Sequence, residues 1–109
     1  MQKRLGSIIW SQAAKGDALV IWHHIAKTAS PEIADKVLHE IEYAINRVKH
    51  EPQMGRLRLD VLSVKGGLRS VLVHPYTIFY RISDQISDIQ IVRVLHERRD
   101  FPNLLKDQP

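Results

Sequence analysis

The residues best suited to chemistry gather in the last third of the chain. The run Arg93-Val94-Leu95-His96-Glu97-Arg98-Arg99-Asp100 places guanidinium groups around one histidine, and Arg69 and Arg81 stand upstream of it. A guanidinium grips a carboxylate or phosphate through a planar fork of donors. An imidazole changes charge near neutral pH and serves as an acid or base there. The pattern supports anion recognition, with His96 and Arg93 as reserve candidates for catalysis and no firm catalytic residue.

The other histidines form no metal motif. His23, His24, His39, His50 and His74 include no HxxxH or HExxH pair, and the chain has no cysteine. Neither a zinc centre nor a thiol nucleophile is expected, and no cofactor. Trp10 and Trp22 read as helix-hairpin or core residues, because a base-stacking platform wants several exposed aromatics. Arg47, Lys49 and His50 suit the negative end of a helix.

The 109 residues carry 16 Lys+Arg against 12 Asp+Glu, a formal charge of +4. That balance favours an acidic partner or a nucleic acid, although it also serves solubility. With 44% hydrophobic and 26% charged residues, the chain can bury one ordinary core, as a single domain over 1–109. The lack of cysteine fits a reducing compartment. No long apolar run follows Lys3-Arg4, so neither signal peptide nor membrane span is expected, and the chain is placed in the cytoplasm.

These groups need elements to hold them. Ser7 to Trp10 is β-prone, and Ser11 stands where a helix N-cap would. Apolar residues at helical spacing then predict a helix over 12–28, in which Gly16 costs about 1 kcal/mol relative to alanine. Ser30-Pro31-Glu32 opens a second helix with a cap, a first-turn proline and an acid, and the helix closes near Lys49, His50 and Pro52. So short a link implies an antiparallel hairpin.

Beyond Gly55 the period becomes strand-like. An irregular arm over 56–65 leads to strands at 68–74, 76–83 and 88–96, with a loop at 84–87 and a short terminal helix near 103–106. The fold class is α+β: an N-terminal strand, a two-helix hairpin, then a three-stranded antiparallel meander with both helices on one face.

If the first hairpin turns on Pro75, Arg69 faces Arg81, Val71 faces Phe79 and Val73 faces Thr77. Leu68, Leu72, Ile78, Tyr80 and Ile82 then lie under the helices. Paired arginines repel, so an anion or acidic segment is expected across them. Depending on the 84–87 loop, either His96 or Arg93 joins that outward face.

The runs Gly67-Leu68-Arg69-Ser70, Tyr76-Thr77-Ile78-Phe79-Tyr80-Arg81 and Ile89 to His96, with Arg99-Asp100 beyond, resemble the ParE toxins of the ParE/RelE superfamily. The N-terminal half agrees through Ala14, Asp17, Ser30-Pro31, Pro52 and Gly55-Arg56. The resemblance implies the toxin of a type II toxin–antitoxin system, which poisons DNA gyrase and is neutralised by an acidic ParD-like antitoxin. Nucleic acid would then be met only through the antitoxin or the target. The outward sheet face and the stretch from Arg93 on are the expected target- or antitoxin-binding surface, through Arg69, Val71, Phe79, Arg81, Arg93, His96, Arg98 and Arg99. The related RelE branch cleaves messenger RNA on the ribosome, which needs a base for the 2′-hydroxyl, an acid for the leaving oxygen and cations on the phosphate. The C-terminal tyrosine used by many of those nucleases is missing here, since Phe101 has no hydroxyl. A third possibility is an inactive homologue acting as a corepressor with its antitoxin.

Overall fold

Two serines start the helices. In the computed structural model, which describes residues 6–58, 67–83 and 88–98, Ser11 Oγ accepts the Ala14 N–H at 2.9 Å and opens helix α1, Gln12–Thr28. Ser30 Oγ accepts the Ile33 N–H at 3.1 Å, and Pro31 occupies the first turn of helix α2, Pro31–His50. Each cap satisfies a backbone donor that the helix itself leaves unpaired. Trp22 Nε1 donates to Asp35 Oδ1 at 2.8 Å and ties the hairpin together.

Five strands follow the order β1-β5-β4-β3-β2. They are β1 (Ile8–Trp10), β2 (Arg56–Leu57), β3 (Arg69–Val73), β4 (Tyr76–Ile82) and β5 (Ile89–His96). The last three form the expected antiparallel meander, and β1 lies parallel against β5. Where an irregular arm is expected after Gly55, Arg56 and Leu57 pair antiparallel with Ser70 and Arg69 as a short edge strand. The expected loop at 84–87 and terminal helix at 103–106 lie outside the described residues.

The core fills the space between hairpin and sheet. Ala14, Ile21, Ile41, Ile45 and Val48 meet Tyr76, Ile78, Tyr80, Ile89, Ile91 and Val94. The apolar stripe of α2 recurs every three or four residues, as one buried helix face requires. No helix among the described residues is long and apolar enough to cross a membrane.

The β3–β4 register differs from expectation by one residue. Val73 pairs with Tyr76 across a two-residue turn, so Arg69 lies opposite Tyr80, Val71 opposite Ile78, and Ser70 opposite Phe79. A one-residue slip exchanges the faces of a strand. Ile78, Tyr80 and Ile82 do lie under the helices, whereas Leu72 points away and is 63% exposed. A second irregularity falls in β5: Tyr80 pairs with Ile91 but Phe79 with Arg93, which leaves Val92 as the extra residue of a bulge.

Candidate interaction surface

The bulge decides where Arg93 goes. Ser11 N donates to Ile91 O at 3.0 Å and Ser11 Oγ to Val92 O at 2.8 Å, so the start of α1 is fastened where β1 ends. One turn on, Asp17 replaces the missing strand. Its carboxylate accepts Arg93 Nε at 2.7 Å, Arg93 Nη2 at 2.8 Å and the Val94 N–H at 2.9 Å. The side chains are only 15% and 11% exposed. The Asp17 hydrogen bonds hold the Arg93 guanidinium pKa above its ordinary value, against the opposing effect of burial. Arg93 is therefore a structural clamp of α1 onto β5.

Arg69 is also engaged. Its Nη1 donates to Gly55 O at 2.9 Å and to Gln53 O at 3.3 Å, binding the turn after α2. The fully buried Tyr80 completes this clasp, accepting the Gly55 N–H at 2.8 Å and donating to Pro52 O at 2.7 Å. Burial raises the Tyr80 phenol pKa, and the Gly55 N–H and the Arg69 charge oppose that shift. Gly55 is required by close approach: a β-carbon there would lie 2.8 Å from Tyr80 Cζ and closer still to its hydroxyl.

The expected Arg69–Arg81 pair does not form. Arg81 lies opposite Gln90 and donates from Nε to Gln90 Oε1, on the face that Phe79 shares. Phe79 is fully buried there, with the Arg58 guanidinium 5.2 Å from its ring centre. Arg58 Nη1 also reaches Ser70 Oγ at 3.4 Å. Val71, partly buried, packs on the opposite, helix-facing side. Of the two candidates for the outward face, Arg93 pairs with Phe79 on Arg81's side, and His96 pairs with Tyr76 under the helices. The His96 ring stands edge-on to Tyr76 at 5.7 Å. Its Nδ1 accepts the Arg98 N–H at 3.1 Å, which leaves the ring proton on Nε2. Arg98 itself is exposed, and Arg99 lies outside the described residues. The three arginines thus take three separate structural tasks, and of them Arg93, already held by Asp17, borders one hollow with His96.

Exposed apolar side chains occur at several places, Tyr43 and Leu72 among them, and on α1 they stand beside two hollows, one on each flank. One flank borders a hollow of about 820 Å³ lined by Ile8, Trp10, Ala18, Leu19, Trp22, Leu38 and Ile45, with Lys15, Glu42 and Asn46 at its rim. The other borders a hollow of about 410 Å³, where Val20, Ile21 and His24 face Tyr76, Val94, Leu95 and His96 above the Asp17–Arg93 clamp. Leu19 is 62% and Val20 67% exposed at the two lips. The two tryptophans border the larger hollow.

The whole sheet-and-hairpin unit matches one known protein family. Residues 8–101 fit the model described as "ParE toxin of type II toxin-antitoxin system, parDE". Toxin ParE1 of Mycobacterium tuberculosis is 31% identical over 90 residues, spanning 83% of this chain and 88% of that protein.

The chain belongs to the ParE toxin family.

A second ParE relative, Toxin ParE3 of Caulobacter vibrioides, is 28% identical over 97 residues, covering 89% of this chain and 92% of the relative. The fold recurs in the chromosomal ParDE toxin–antitoxin system of P. aeruginosa, with a TM-score of 0.68 and 24% identity over 84% of this chain and 96% of that one. It recurs more loosely in the toxin–antitoxin complex RelBE2 of Mycobacterium tuberculosis, with a TM-score of 0.53, 22% identity and coverage of 85% and 99%. For this ParE toxin, Asp17 and the apolar flanks of α1 were the parts that residue-by-residue reasoning missed. A signal for the flanks was present: Ala18-Leu19-Val20-Ile21-Trp22 is apolar all round the helix, whereas a helix covering one core needs a single apolar face.

Proposed function

We propose that this ParE-family toxin arrests growth by poisoning DNA gyrase and is held inactive by an acidic ParD-like antitoxin. The observation that carries the reading is the family match over residues 8–101, which takes in every described strand and helix. The surface agrees with it. A chain of net charge +4 carries two open hollows beside one helix, the larger mainly apolar and the smaller of mixed character with Arg93, His24 and His96 in its lining, an arrangement an acidic, partly disordered protein would fold against. Arg81, His96, Arg98 and Arg99 remain proposed contacts with target or antitoxin, whereas Phe79, fully buried, cannot meet a partner directly. Arg69, Val71 and Arg93 support that surface from within.

A non-catalytic action is preferred over messenger cleavage because Arg69, Arg81 and Arg93 each hold a different part of the fold rather than one phosphate site. The test is a supercoiling reaction with purified gyrase and saturating toxin. Accumulation of gyrase–DNA cleavage complexes is expected, and undiminished turnover refutes the target assignment.

A further inference from the structure

Gly16 lies inside α1, where glycine weakens a helix, yet nothing among the described residues calls for its small size. A β-carbon at Gly16 would stand in open space, with no atom within 4 Å. This is the opposite of Gly55, whose missing side chain makes room for Tyr80.

The position of Gly16 on the helix gives its bareness a meaning. At about 100° per residue, Ala18, Leu19 and Trp22 fall along the flank that borders the larger hollow. Asp17, Val20 and His24 fall along the flank that borders the smaller one. Gly16 and His23 lie on the outer ridge between the two flanks, and both are exposed. The ridge is lowest at Gly16, and the exposed Leu19 and Val20 mark its two sides.

We propose that one continuous segment of an acidic protein partner straddles α1, fills both hollows and crosses the helix at Gly16. Glycine permits a second backbone to come close where any side chain would hold it off. The charge on this helix selects the partner. Lys15 and Lys27 are exposed on α1, and its single acid, Asp17, is consumed by Arg93 and the Val94 N–H. Glu42, from α2, borders the larger hollow on its far wall. The segment that fits carries branched or aromatic side chains for the hollows and carboxylates between them. The proposal rests on the antitoxin reading and deepens it, making the two hollows one binding track instead of two sites.

The test uses the full-length toxin and the purified product of the reading frame adjoining its gene. Binding is followed by calorimetry and by the fluorescence of Trp10 and Trp22, which border the larger hollow. Gly16→Gln puts a good helix former on the ridge, so the thermal midpoint of the free toxin should hold or rise. Affinity should nevertheless fall on the order of tenfold or more, and Leu19→Gln and Val20→Gln should each weaken binding as well. If Gly16→Gln binds as tightly as wild type, the crossing is overturned while the antitoxin reading stands. If the wild-type toxin does not bind that product, the antitoxin reading falls and the crossing with it.

Discussion

Replacing Asp17 with alanine tests whether the Asp17 clamp fastens α1 to the sheet. The substitution strands the Arg93 guanidinium and the Val94 N–H together. Removing one partner of a buried ion pair costs about 3–5 kcal/mol. Arg93 is 15% exposed and can draw some water, so the lower half of that range, about 3–4 kcal/mol, applies. The orphaned Val94 donor adds about 1 kcal/mol where water reaches it. The total, about 4–5 kcal/mol, is a large share of the 5–15 kcal/mol that holds a domain folded. At about 4–5 °C per kcal/mol for a chain this long, the thermal midpoint should drop by roughly 15–25 °C. Asp17→Asn keeps an oxygen for Val94 but loses the charge, and should fall between the two. Adding Arg93→Met to Asp17→Ala removes the stranded charge and should recover about 1–2 kcal/mol, measured as a double-mutant cycle in urea. A drop of less than about 5 °C for Asp17→Ala, a change of roughly 1 kcal/mol, would refute the clamp as a stabilising contact.

Three other outcomes follow from described contacts. Tyr80→Phe should cost about 1–3 kcal/mol in urea unfolding through the stranded Gly55 N–H and Pro52 carbonyl, and Gly55→Ala should cost more, because the methyl meets the rigid Tyr80 ring. Ser11→Ala should lower stability by about 1–2 kcal/mol, because it removes both the α1 cap and the bond to Val92 O, and a loss no larger than an exposed Ser→Ala change would contradict that role. Burial raises the Tyr76 and Tyr80 phenol pKa values above the ordinary 10.0. Between pH 10 and those raised values the unfolded chain has released protons that the folded chain keeps, so stability should be unaffected by these groups below about pH 10 and fall above it. Urea midpoints at pH 8 and pH 11 check this, and Tyr76→Phe should flatten the alkaline loss.

Helix starts and strand alternation are legible in the sequence because they are local, whereas strand register and distant partners are not. Ser11 and Ser30-Pro31 mark the helix starts because capping is decided within a few residues. The three meander strands follow from alternation and turn residues. The Arg69–Arg81 pairing failed because a turn one residue shorter on one side changes every face, and the composition around His74-Pro75 does not say which residue is central. The choice between Arg93 and His96 turns on the 84–87 loop, and the bulge at Val92, which no glycine or proline announces, shifts the faces of β5 further. Asp17 was visible as a residue but not as the partner of Arg93, 76 positions away. Two-residue β2 is too short to show any period.

The parallel contact of β1 with β5 also sets an order of events in time. Ser7 bonds to Asp88, and Ser11 to Val92, each across 81 positions of chain. Closing so large a loop makes this pairing a late step in folding. Translation proceeds at about 5–20 residues per second from the N-terminus, so the first strand and the helix after it wait several seconds for the strand that seats them. During that interval α1 has neither Ile91 nor Arg93 to hold it. The flanks of α1 reach finished form only once β5 has been made, so a toxin cut short before Ile89 should present no ordered α1 surface to a partner.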